Sequence, residues 1–121
     1  MSELQVGREM DAAVARTLGW YAKARYDEDV WCSPDGKSER ASLMFYSTSD
    51  ADALMALREK REQRPDLSVM LARDWYQPGW EVTIGLVEDN CAPDKYIKGF
   101  GETITLAICH ALLCLHKREA G

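Results

Sequence analysis

Apolar residues recur along this chain with two different periods. Near the start, Val6, Met10, Ala13, Val14, Thr17 and Leu18 are spaced to share one side of a helix. Ser2 and Gln5 have the spacing of a capping box, and Gly19 is a suitable stop, so a helix is predicted over about 3–18. The period changes to two at "WEVTIGLVE", where Trp80, Val82, Ile84 and Leu86 alternate with Glu81, Thr83 and Gly85. "LSVMLARDW" precedes it, and "YQPG" turns between them, which predicts a hairpin over about 67–88.

A second helix is predicted over about 49–63. Ser47, Thr48 and Ser49 are its cap candidates, Asp50 suits its positive end, and Pro65 closes it. The last helix, about 102–117, has two apolar stripes. Ile104, Ala107, Ile108, Ala111, Leu112 and Leu115 form the first; Leu106, Cys109 and Leu113 form the second. A helix packed on a sheet alone needs only one, so this helix is covered on two sides, by this chain or by another copy. Residues 20–41 read as irregular, with a short strand near Tyr26–Trp31 and a turn at "SPDG". Residues 88–100 read as a loop with a short edge strand at Lys95–Lys98.

These elements predict the α+β class: one domain over 1–121, an α/β/α layered sandwich with a mostly antiparallel sheet. The length of 121 residues suits one domain with its own core. The apolar run from Ile104 to Leu115 is about twelve residues, short of the ~20 that span a bilayer. No basic and apolar leader opens the chain, so Cys32, Cys91, Cys109 and Cys114 are expected as reduced thiols and the protein as cytoplasmic. A net charge of -5 argues against nucleic acid.

Candidate chemistry is sparse. His110 with Cys114, and Cys109 with His116, share helix faces, yet no CxxC knuckle accompanies them, so no metal and no cofactor is predicted. Cys32 and Cys91, both placed in loops, have only His110 and His116 as bases, and no catalytic residue is assigned. "GFGET" has glycines ahead of a helix, an arrangement that can hold an anion, but lacks the lysine of a nucleotide loop. The double-stranded-RNA-binding module is a weak alternative, because the start of the last helix carries Glu102 and no positive charge.

The best place for a ligand or partner is the step Tyr46, Ser47, Thr48 and Ser49 with Trp31 and Trp75. Hydroxyls and helix-start N–H groups can hold an anion beside an aromatic wall. The same hydroxyls serve equally as caps. Leu106, Cys109 and Leu113 are the candidate face of a homo-oligomer.

"GREMDAAVARTLGW", Trp31 with "SPDG", "YSTSDADAL", the tryptophan-bearing hairpin and "ETITLAICHALL" follow one another from Gly7 to Leu115. In that order they resemble the phage ABA-sandwich domain family. The resemblance implies an α/β/α fold and a phage or prophage accessory protein, and it carries no catalytic residue. Binding or assembly is then the expected activity, with self as the first partner. A host defence factor or a small nucleotide signal is the alternative target.

Overall fold

The computed structural model describes residues 7–25, 28–40, 42–73, 79–86 and 96–120. Among the described residues three helices and two three-stranded antiparallel sheets make up an α+β fold, with the strands of the predicted hairpin in place. No helix among the described residues is long and apolar enough to cross a membrane.

Helix α1 runs Arg8–Thr17 and stops at Gly19 as the sequence suggested. Gly19 takes a φ of 89°, Gly19 N–H reaches Arg16 O, and Trp20 N–H reaches Ala15 O, which closes a Schellman motif. The buried side is rotated from the expected stripe. Met10, Val14, Ala15 and Leu18 face the core, as does Asp11, whereas Ala13 is partly exposed. The proposed cap at Ser2 and Gln5 lies outside the described residues.

The described part of residues 20–41 holds the strand expected near Tyr26–Trp31, observed at Glu28–Cys32, and two further strands where irregular chain was expected. Strand β1 (Tyr21–Arg25) pairs with β2 (Glu28–Cys32), and the two-residue β3 (Glu39–Arg40) pairs with β2 in turn. Cys32 therefore sits in a strand, buried, and not in a loop. The "SPDG" turn joins β2 to β3. Asp35 accepts from the Ser33 hydroxyl and the Lys37 N–H, and Gly36 takes a φ of 75°. Those two hydrogen bonds hold the Asp35 carboxyl below its usual pKa.

Helix α2 (Asp50–Gln63) has Ser49 as its cap, with Ser49 Oγ accepting from Asp52 N–H. Its later residues close the end of α1. Gln63 Nε2 donates to Leu18 O at 2.7 Å, and the buried Lys60 ammonium lies 3.4 Å from Thr17 O and from Glu119. Carbonyls that α1 cannot satisfy itself are thus met by α2.

Strands β4 (Leu67–Arg73) and β5 (Trp80–Leu86) pair from Leu67↔Leu86 to Arg73↔Trp80. Strand β6 (Ile97–Gly101) then pairs with β5, beginning and ending later than the strand expected at Lys95–Lys98. The glycines of "GFG" therefore belong to a strand. A Cβ at Gly99 would lie 2.3 Å from Ala111 N, and one at Gly101 would lie 2.6 Å from Ala107 N. The glycines bring β6 against the backbone of helix α3 (Ile104–Ala120), where Ala107 and Ala111 are one turn apart.

Helix α3 packs on β5 and β6 from one side and on α1 and α2 from the other. That is the two-sided cover its double stripe called for, and this chain supplies it. Ala107, Ile108, Cys109, Ala111 and Leu112 are all fully buried or nearly so. Each large apolar side chain removed from water contributes about 1.5–3 kcal/mol.

Candidate functional site

The Tyr46–Ser49 step is committed to the fold. Asp11 is 1% exposed, and its Oδ1 accepts from the Ser47 N–H at 2.8 Å and from the Ser47 hydroxyl at 2.7 Å. Ser47 Oγ in turn accepts from Gly7 N–H at 3.0 Å. The N–H groups of Thr48 and Ser49 both reach Phe45 O. The N–H groups of Ser47, Thr48 and Ser49 are thus used, and the Asp50 carboxylate stands at the helix start with the Thr105 hydroxyl bound to it. Thr48 alone of the four is exposed.

Tyr46 is buried, and its hydroxyl accepts from Arg40 at 3.2 Å. Burial raises its pKa, with Arg40 opposing the shift. Trp31 is half-buried, and the Arg16 guanidinium lies over its ring at 5.6 Å, so this part of the aromatic wall already holds a cation. Trp20 is tied down in the same way. Arg40 covers its ring at 4.1 Å, and its indole N–H donates to Glu59 at 2.9 Å. Trp75 lies outside the described residues, as does Cys91.

Of the three residues assigned to an oligomer face, Cys109 requires correction. It is fully buried within the chain, with its thiol 3.2 Å from Tyr46 O. Burial, aided by the Asp11 charge, pushes that thiol up to about 12. Leu106 and Leu113 are partly buried against the same core. His110 Nδ1 lies 2.6 Å from Phe100 O, a contact that requires the proton on Nδ1. Among the described residues no group of His, Cys, Asp and Glu is arranged to hold a metal ion.

An open surface lies elsewhere. Helix α2 and strand β4 diverge from the Arg64–Asp66 connection and leave a groove of about 600 Å³ between them. Leu54, Leu57, Arg58 and Arg61 line it from α2, and Val69 and Leu71 from β4. Leu54 is 43% exposed and Leu71 is 39% exposed. Met55 and Met70, which are not in its lining, are more exposed still. Sequence reasoning missed this groove, although Leu54, Leu57, Arg58 and Arg61 already had the spacing of one helix stripe.

No family model matches this chain, and no curated protein and no solved structure is detectably similar to it.

Proposed function

We propose that this chain is a phage or prophage accessory protein that works by binding a partner protein, in the host cytoplasm, and not by catalysis. The observation that carries the binding role is the apolar lining left open between α2 and β4, where Leu54 and Leu71 are both well exposed beside Leu57 and Val69. Surfaces of this kind mark docking sites on water-facing proteins. Of the hydroxyls that looked available for chemistry, that of Ser47 is bound to Asp11 and that of Ser49 caps α2, and the Cys109 thiol is buried and held protonated. The phage setting rests on the order of the "GREMDAAVARTLGW", "YSTSDADAL" and "ETITLAICHALL" segments, which fall on α1, α2 and α3. Antagonism of a host defence factor is one form such binding takes.

The test is site-specific photo-cross-linking in the producing cells. A benzoylphenylalanine at position 71 is expected to give discrete protein adducts, and one at position 37, on the β2–β3 turn, is expected to give none. Equal labelling from both positions, or no adduct from either, overturns the binding role.

A further inference from the structure

Strand β4 is an edge. Among the described residues it pairs with β5 on one side only. Its other side presents the backbone N–H and C=O groups of alternate residues along the strand, with the Leu67 N–H already donating to Arg64 O. Edge strands are normally blunted by proline, by charge or by brevity. Here Leu67 to Ala72 contains no proline and no charged residue. The groove lies on the face of β4 that carries Val69 and Leu71, with α2 as its second wall.

The two walls are graded along their length. Leu54 and Leu57 come early in α2, and Arg58 and Arg61 come late. Helix and strand lead away from a common connection, so the late end of α2 faces the early end of β4. From that connection Leu54 and Leu71 both lie roughly 13 Å along their elements, by the rise per residue of each. The groove is therefore apolar at its open end, and its closed end carries Arg58, Arg61 and Glu62, one positive charge in excess. Arg58 pairs with Glu62 at 3.3 Å, both largely exposed, and among the described residues Arg61 makes no ion pair.

We propose that this groove takes an extended segment of a partner protein, added along the outer edge of β4, with apolar residues at the Leu54–Leu71 end and an acidic residue beside Arg61. The proposal rests on the binding role argued above and names the partner's chemistry. A strand fits and a helix does not, because only a strand has spare N–H and C=O groups for the β4 edge. The volume is in the range of clefts that hold several side chains. A second copy fits poorly: antiparallel pairing of two β4 edges brings the other copy's last β4 residue, an arginine, to the end already held by Arg58 and Arg61.

The experiment uses the full chain and labelled synthetic octapeptides of alternating valine and threonine, with two aspartates at either the N- or the C-terminal end. By fluorescence anisotropy, one of the two is expected to bind and to weaken with added salt. Its lysine counterpart should bind about tenfold less tightly. Leu71→Lys and Arg61→Glu, each verified to melt like the parent, should reduce binding by at least as much. Methylation of alternate peptide nitrogens should abolish it, since strand pairing needs those donors. Binding that survives methylation overturns strand addition. No binding by either peptide at millimolar concentration overturns the proposed partner chemistry. The binding role itself then still stands if residue 71 gave specific cross-links, and falls with it if none formed. A concentration-dependent dimer abolished by Leu71→Lys overturns the proposal in favour of a second copy.

Discussion

Asp11 and Ser47 are joined twice: one carboxylate oxygen of Asp11 accepts both the backbone N–H and the hydroxyl of Ser47. The contact ties α1 to the turn before α2 across thirty-six positions of sequence. It also explains why an acid occupies the buried side of α1. Its second oxygen meets Arg8 at 2.9 Å, where Arg8 is half exposed. The two halves of this cluster differ in weight. Asp11→Ala strands a buried N–H and is expected to lower stability by about 3 kcal/mol. Arg8→Ala removes a solvent-screened pair and a guanidinium stacked on Phe45, and should cost about 1 kcal/mol or less. Denaturant melts of the two variants check this; equal losses would place the weight on the ion pair.

The contact between β6 and α3 has no room for a methyl group. At Gly99 an added Cβ would meet Ala111 N at 2.3 Å and Ala107 O at 2.5 Å, both backbone atoms that cannot swing aside. Gly99→Ala is therefore expected to push β6 off the helix at a cost of about 3 kcal/mol or more. Gly36→Ala is the control. Its Cβ would meet only the Tyr21 hydroxyl, at 3.7 Å, so its cost comes from the positive φ alone, about 1–2 kcal/mol. A Gly99→Ala melt no lower than that of Gly36→Ala would contradict the close approach.

Helices and the main hairpin were legible because their apolar residues keep one period over several turns or pairs. Ile108 and Val82 are core by pattern and core in the structure. Of the first sheet only the strand near Tyr26–Trp31 and the "SPDG" turn were legible; β1 was hidden because Lys23 and Arg25 give it no apolar alternation, β3 because it has two residues, and both are ordered by backbone pairing. The glycines of "GFG" looked like a loop because a strand residue without a side chain leaves no pattern; their role appears only against Ala107 and Ala111. The Tyr46–Ser49 step was found as a polar cluster at a helix start. Its engagement with Asp11 could not be found, because nothing local pairs two residues so far apart. The α2–β4 groove was missed for a related reason: each wall looks like an ordinary amphipathic element until the two are set side by side.

Alkaline pH should weaken the fold through Cys109. In the native protein burial, followed by the Asp11 charge, moves its thiol from 9.0 to about 12. In the unfolded chain the thiol loses its proton above about pH 9, while the native protein keeps it. The native state then binds more protons than the unfolded one, so stability is fully present below pH 9 and declines as pH climbs toward 12. Tyr46, whose pKa burial also raises, adds a loss of the same sign above about pH 10. The melting temperature is expected to fall between pH 9 and 11, and Cys109→Ala should flatten that fall even though it lowers the value at pH 7. A slope unchanged by the substitution would mean that other groups, lysines included, govern the alkaline transition.

Ile108 and His110 sit two residues apart on α3 and should answer mutation in opposite ways. Ile108 is fully buried, on a helix that packs against β5, β6, α1 and α2. An aspartate there has no partner, and a buried unpaired charge costs several kcal/mol, comparable to the whole stability of a chain this size. Ile108→Asp is expected to show no cooperative thermal transition. His110 is partly exposed, and its Nδ1–H serves a single acceptor, Phe100 O. Water reaches that carbonyl once the ring is gone, so His110→Ala should cost about 1 kcal/mol and leave the circular dichroism spectrum unchanged. The bland variant matters as much as the severe one. If His110→Ala also abolished the transition, the hydrogen bond between α3 and β6 would be holding the sheet in place, and not the glycine–alanine contact beneath it.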